Sequence, residues 1–368
     1  MLEQFKVKEE DSVRVKADPL RNIVAAILEK LNVPPEDALL GADVLVSADL
    51  RGVDSHGVSN MLRSYVQSYR DGYTNPRPDW KIIRESPATA TIDCDRGLGT
   101  IIAPKGMEVA IQKAKETGIG IVTMGNGRHL GMAGYHAMLA LKHDMIGMCM
   151  TAPGPLVLPT FGREARLGTN PIAVAVPTQN EPPFVLDMAT SVIAANKIGI
   201  ARRLGSSLSS GWIADEDGTP IMQEVPTPPV SANVQGASYP GQVLPLGSTR
   251  EMGSHKGYGL ACVVEIFCAL LSGSGFSMIT ERNEMKHFVA AYNIEAFTPI
   301  AEFKSMMDEF LRTLKDTPPA KGQERVFVAG QPEYEIESDR LSNGIPLHTE
   351  VIQWFREICK ELNVQYTL

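Results

Sequence analysis

His56, Asn60 and Arg63 share one stretch, Arg51-Gly-Val-Asp-Ser-His-Gly-Val-Ser-Asn-Met-Leu-Arg-Ser-Tyr65. At about 100° per residue a seven-residue spacing brings His56 and Arg63 nearly into line on one helix face, with Asn60 between them. An imidazole exchanges a proton near neutral pH, and a guanidinium holds a carboxylate through two parallel hydrogen bonds. Such a row would grip a small acid and move a proton on it. The same spacing also suits a solvated helix face that begins after a polar cap at Asp54 or Ser55, so other segments must decide.

The elements that would position this row are those of an ordinary globular chain. With 368 residues, 43% of them apolar, there is enough chain for about two domains and a sizeable core. The net charge of −8 argues against a nucleic-acid or anionic-membrane surface as the main partner, so any bound phosphate must be held locally. Five widely spaced cysteines without a C-x-x-C pair suit reduced thiols in a cytosol and carry no zinc signature; no metal is expected. The first residues lack the features of a secretion or transit signal, and the apolar run Gly257 to Leu271, interrupted by Glu265, is short for a membrane helix. These readings predict a cytoplasmic protein in which that run is a buried helix.

Three short helices are expected at the start, after a strand at Val13 to Lys16. The first is capped by Asp18 with Pro19 in its first turn, the second begins at Pro35-Glu36-Asp37, and the third carries His56. From Pro76 the texture changes to brief apolar runs at 88–92, 119–123, 146–151, 172–176 and 184–186, alternating with helices at 104–116 and 133–142, which predicts a mixed α/β sheet. Residues 222–246 read as a Pro-rich surface loop or flap. The stripe Phe303, Met306, Met307, Phe310, Leu311 and Leu314 reads as a core-facing helix, 325–328 as a late strand, and Val351, Trp354, Phe355, Ile358 and Leu362 as one face of a final helix.

Further segments could carry chemistry. Gly125-Asn-Gly-Arg-His-Leu-Gly131 follows a strand but lacks the G-x-G-x-x-G spacing of the usual dinucleotide fold. Its glycines and the helix start near Ala133 could approach a phosphate, or simply form a strand-to-helix turn. Gly168-Thr-Asn-Pro171 offers amide and hydroxyl groups or a plain Asn-Pro turn, and Asp187 could accept ribose hydroxyls or cap a helix leading to Lys197. Gly253-Ser-His-Lys-Gly-Tyr-Gly259 suits an anion site at a helix start, although its glycines could equally serve close packing. A Ser55-His56 hydrolase is disfavoured, because adjacent residues point apart and no G-x-S-x-G elbow is present.

Taken in order, S-H-G, R-H-x-G-x-A-G-Y, G-T-N-P, L-D-M-A-T-S and H-K-G-Y-G-L resemble the type 2 malate/L-lactate dehydrogenase family from about Val13 to Leu362. That resemblance implies a non-Rossmann, NAD- or NADP-dependent oxidoreductase. Its members act on malate, lactate, sulfolactate, ureidoglycolate, diketogulonate or cyclic ketimine acids. It implies a helical part, 12–75, completed by C-terminal helices at about 334–366. A mixed-sheet domain, 76–333, would then bind cofactor and substrate.

By resemblance His56 is the acid/base with Ser55 as relay, and Lys197 lies close to it. His129 and the segment Leu130, Gly131, Met132 and Ala133 meet the nicotinamide end; in some members this histidine is itself the proposed base. Thr169 matches a substrate contact. Asp187, Met188, Ala189, His255 and Lys256 match cofactor segments, and Ala329, Gly330, Gln331, Pro332 and Glu333 correspond to a cofactor turn usually written P-G-E. The chain departs from the pattern in having Asn60 where many relatives place a carboxylate-binding arginine, leaving Arg63, or Arg51, for that task, and in having Ala329 for proline. The expected reaction is hydride transfer between a 2-hydroxy acid and its 2-oxo acid in a homodimer. Reduction of a cyclic ketimine or diketo sugar acid, and a non-catalytic binding protein on the same fold, stand as alternatives.

Overall fold

Leu20, Ile23, Val24 and Ile27, apolar at helical spacing, are fully buried and draw α1 (Ala17–Lys30) onto the core behind β1 (Ser12–Val15). The structure is a computed structural model describing residues 5–227, 242–278 and 284–368. Helix α1 starts two residues earlier than expected, with Lys16 and not Asp18 at its cap, yet Pro19 still lies in the first turn, where its missing N–H has no intrahelical partner to lose. Helices α2 (Pro35–Leu50) and α3 (Val58–Arg70) complete the first layer.

The chain continues through β2 (Lys81–Glu85), β3 (Thr89–Asp93), α4 (Gly99–Thr117), β4 (Ile119–Gly127), α5 (Ala133–Met138) and β5 (Met145–Ala152). Next come β6 (Ile172–Val176), β7 (Phe184–Met188), α6 (Asn196–Leu204), β8 (Ser207–Leu208), β9 (Val225–Pro226) and α7 (Ser254–Glu265). The last elements are β10 (Met285–Asn293), α8 (Ile300–Lys315), α9 (Gln331–Asn343), β11 (Ile345–His348) and α10 (Thr349–Leu362).

Seven strands form one mixed sheet in the order β2-β3-β4-β10-β5-β6-β7. β3 and β4 run parallel and need a crossover, which α4 supplies; the other neighbours are antiparallel. This is the mixed α/β sheet expected, and it is unlike the parallel sheet of the usual dinucleotide fold. β11 pairs antiparallel with β1, and α10 buries Val351, Phe355 and Ile358 in the same core as α1 to α3, α4 and α5. A second, smaller core gathers Phe5, Val157, Ile198, Trp212 and Val243 around α6.

Several expectations are corrected. The central strand β10 went unassigned: it pairs on both sides and buries Lys286 and His287 along with Phe288 to Ala291, so it shows neither alternation nor a clean apolar run. Residues 325–328 are not a strand. Arg325 there stacks over the Phe327 ring and pairs with Glu335 in a loop without ladder partners. Helix α4 begins a turn before Pro104, which sits inside it.

The 257–271 run is only half buried. Val264, Cys268 and Ala269 pack on Phe288 and Ala290, while Leu260, Val263, Ile266 and Leu270 are exposed on the outer face. The stripe on α8 likewise faces outward: Leu311 is buried but Met306 and Phe310 are each 54% exposed. The polar Asp308 takes the inner position because its carboxylate accepts the N–H groups of Gln179, Asn180 and Glu181 in the β6–β7 turn. Of the expected loop 222–246, residues 228–241 lie outside the described residues; its flanks join β9 to β8 and Val243 to Val157 and Ile213. Among the described residues no helix is long and apolar enough to cross a membrane.

Candidate active site

His56 lies in the turn between α2 and α3 and not on the helix. α3 is entered through Gly57, so the helical register of His56, Asn60 and Arg63 does not exist. Asp49 at the end of α2 accepts the Val58 N–H at 2.8 Å, and a Cβ on Gly57 would stand 1.9 Å from Asp49 Oδ1, a separation no side chain tolerates. Burial, then the charge of Asp54, pushes the Asp49 carboxyl up to about 8. α9 holds the turn from outside: Arg340 donates to Asp54 at 2.5 Å and to the Asp49 carbonyl, and Arg51 donates to Glu337 at 2.6 Å. From α6, Asn196 donates to the Ser55 carbonyl at 3.0 Å.

Arg63 is turned away from this turn. It donates to Glu350 at 2.7 Å, lies 5.2 Å over the Trp354 ring and is half exposed. Asn60 donates to the Asp54 carbonyl at 3.1 Å and accepts from Arg203, which also approaches Glu350. The expected carboxylate grip of Arg63 is therefore committed to α10, and that of Arg51 to α9.

Two imidazoles meet in its place. His56 stacks on His129 with ring centroids 5.6 Å apart and planes 11° from parallel. Ser55 Oγ lies 2.9 Å from His56 Nδ1, and Tyr65 Oη lies 2.6 Å from His129 Nδ1. Burial first, then the Lys197 ammonium, lowers His56 to about 4, and burial with the neighbouring histidines holds His129 well below its ordinary value. Leu130, Met132 and Ala133 are buried, and Gly131 has φ +76°, so this segment presents backbone and not side chains.

The cofactor segments expected at β7 and α9 adjoin each other. Val185 donates to the Ala329 carbonyl at 3.2 Å, and Gly330, with φ +87°, packs so closely that a Cβ would lie 2.8 Å from Val185 N. Asp187 accepts the Gly134 N–H at 2.6 Å; the residue keeps exposed surface, and the protein packed around its carboxyl, then the charge of Glu333, raise it toward about 6. Met188 and Ala189 follow it, half-buried. Glu333 follows Gln331 and Pro332 in the first turn of α9, and its charge also acts on Lys197 in the first turn of α6. His56, His129, Lys197, Asp187 and Glu333 thus form one electrostatically coupled group.

Thr169 is half-buried, and its carbonyl accepts from Thr190, just beyond the Asp187 segment. His255 accepts from Arg250 at 3.0 Å and stands with Lys256 on the exposed first turn of α7, outside that group. Asp49, Tyr65, Asn196 and Arg340 were missed by sequence reasoning. Asn196 had a signal as the neighbour of Lys197, whereas Asp49 and Arg340 become partners only across 291 residues.

The titrating groups set a stability profile. His56, His129, His136 and His287 are all held below the ordinary 6.5, so the unfolded chain binds protons the folded one refuses, and stability falls on acidification from there to about 4 for His56 and His136 and to about 3 for His287. Asp49 and Asp187 are raised and act in the opposite sense, losing stability as pH rises, with Asp49 alone still acting up to about 8. Four imidazoles outweigh two carboxyls, so the melting temperature should climb to a maximum near pH 6.5 and then level or decline. A steady fall from pH ~4.5 upward would contradict these shifts.

Comparison with known proteins places this chain among dehydrogenases. The sequence model of the malate/L-lactate dehydrogenase family matches residues 15–356. The chain is 41% identical to malate dehydrogenase of Pyrococcus abyssi over 363 residues, 97% of each protein. It is 38% identical to L-sulfolactate dehydrogenase of Methanocaldococcus jannaschii, over 95% of this chain and 97% of that one. The crystal structure of malate dehydrogenase from Entamoeba histolytica superposes with a TM-score of 0.90 at 33% identity, covering 97% of this chain and 100% of that chain.

Proposed function

This chain belongs to the malate/L-lactate dehydrogenase family, and from that premise we propose that it interconverts a malate-like 2-hydroxy acid and its 2-oxo acid with His56 as the proton-transfer group. The observation that carries the reading is the stacked pair of imidazoles, His56 and His129, with the Lys197 charge acting on His56 and Glu333 acting on both Lys197 and Asp187.

The family implies a nicotinamide cofactor, NAD or NADP, and the residues suit one. Asp187 and Glu333 can accept ribose hydroxyls, and the close packing of Gly330 on Val185 holds the start of α9, with Glu333 in its first turn, beside β7. When bound, the cofactor supplies or takes the hydride at the substrate carbon. His56, neutral over the physiological range, takes the hydroxyl proton during oxidation and returns it during reduction. Ser55, at His56 Nδ1, fixes the ring so that Nε2 is left for the substrate. Lys197 stabilises negative charge developing on the substrate oxygen and takes over the carboxylate grip that Arg63 does not offer; Thr169 supports the acid from the neighbouring turn.

We place the enzyme in a reducing cytoplasm, in keeping with five free cysteines. It would work as a homodimer, with a second copy covering the apolar outer face of α7; sedimentation as a monomer would remove that assignment. The decisive assay follows reduced-nicotinamide absorbance with both cofactors against oxaloacetate, pyruvate, sulfopyruvate, a diketo sugar acid and a cyclic imine carboxylate. Turnover of the open-chain 2-oxo acids is expected, with hydroxy-acid oxidation holding its rate down to pH near 5 and failing as His56 is protonated near 4. Preference for the cyclic imine or the sugar acid would reassign the substrate, and absence of turnover with every acid would leave a binding protein.

A further inference from the structure

Two donors converge on one nitrogen of His129. The Gly131 N–H lies 3.1 Å from Nδ1, and a peptide N–H can only donate, so Nδ1 carries a lone pair. Tyr65 Oη is 2.6 Å from the same atom, and against a lone pair the phenol must donate its proton. In the neutral ring the remaining proton then sits on Nε2.

The backbone on both sides of His129 is fixed by further hydrogen bonds. His136 Nε2 donates to the Leu130 carbonyl at 2.7 Å and His287 Nε2 to the Arg128 carbonyl at 3.0 Å, so the residues flanking His129 are clamped on both sides. Gly99, at the start of α4, packs so tightly that a Cβ there would lie 2.5 Å from the Arg128 carbonyl oxygen.

We propose that Tyr65 is a positioning residue that, with the Gly131 N–H, locks His129 as the neutral Nε2–H tautomer, making His129 a hydrogen-bond donor to the substrate oxygen and leaving His56 to exchange the proton. The inference rests on the dehydrogenase reading for its chemistry, though not for the tautomer itself. With Nε2 already protonated and Nδ1 filled by two donors, His129 has no nitrogen free to accept the hydroxyl proton. Its N–H polarises the carbonyl during reduction and holds the alkoxide during oxidation, with no proton passing to it. Tyr65 is buried, and burial keeps its phenol protonated and therefore a donor; burial and the neighbouring imidazoles His56, His287 and His136 keep His129 neutral.

The test is the ¹H–¹⁵N two-bond correlation spectrum of the full chain labelled at histidine nitrogen, with His129 assigned by its loss in His129→Asn. The neutral Nε2–H pattern is expected for His129 at pH 7 in the unsubstituted protein. In Tyr65→Phe, which keeps the ring volume, the pattern should become a mixture of the two neutral tautomers. Turnover should drop about 10- to 100-fold at unchanged cofactor KM, less than the ~10⁴ of a fully wrong tautomer because the Gly131 N–H remains. An Nδ1–H or charged His129 in the unsubstituted protein, or a Tyr65→Phe spectrum identical to it, would overturn the proposal. The spectra need no substrate, so they stay readable if every acid in the panel is inert, and a failed lock leaves wild-type turnover untouched.

Discussion

Replacing His56 by alanine should lower turnover by about 10²–10⁴-fold while cofactor affinity changes little, because general acid–base transfer typically supplies a factor of that size. The ring is half-buried and stacked on His129, so its loss leaves space that water can enter but no strongly basic group in register with a substrate oxygen. The carboxylates proposed to meet the cofactor, Asp187 and Glu333, sit on β7 and α9 and not in the substituted turn, and should bind as before. Steady-state turnover paired with fluorescence titration of the reduced cofactor separates the two effects. Turnover within a few-fold of wild type would move proton transfer to another group. A parallel loss of cofactor affinity would mean that the turn supports the whole cleft.

The second large effect is expected at Arg340, which no proximity in sequence links to the site. Its guanidinium is nearly buried and joins α9 to the Asp49 carbonyl at the end of α2 and to Asp54 within the turn that carries His56. Arg340→Ala leaves the Asp54 carboxylate without its partner in a poorly solvated place. Breaking such a pair costs about 3–5 kcal/mol, and the partial exposure of Asp54 puts the expected loss near the lower figure, ~3 kcal/mol. Arg63→Ala breaks a half-exposed pair with Glu350 and should cost under ~1 kcal/mol. Denaturant unfolding of both variants checks the contrast, and equal losses would show that burial is not what makes Arg340 matter. Turnover should fall with Arg340→Ala as well, since the turn that aims His56 loses its outer clamp.

Much of the scaffold was legible because local patterns coincide with tertiary burial. The apolar periodicity of α1 and α10, the Pro-acidic start of α2 and the short apolar runs that became β3 to β7 are each local signals that burial in the fold matches. β10 escaped because a strand enclosed on both sides buries a lysine, which donates to the Glu284 carbonyl, and a histidine whose partner, Thr151, no local window contains. α8 misled in the opposite direction: its apolar stripe is exposed in the single chain, while Asp308 is taken inward by three backbone donors.

The site divides the same way. Residues carried by motifs, His56, His129, Asp187, Lys197 and Glu333, do converge. The row of His56, Asn60 and Arg63 failed because one glycine and one buried aspartate start the helix after the histidine. Tyr65 was not singled out, since only the fold brings a residue of α3 to a turn 64 positions later.

The most direct test of proton transfer at His56 is chemical rescue of His56→Ala by free imidazole. Turnover should rise with imidazole concentration and saturate, and at fixed total concentration it should follow the neutral fraction of the added base during hydroxy-acid oxidation. A variant that imidazole does not help, while its spectrum and cofactor affinity remain those of the intact enzyme, would contradict the assignment of the proton to this side chain.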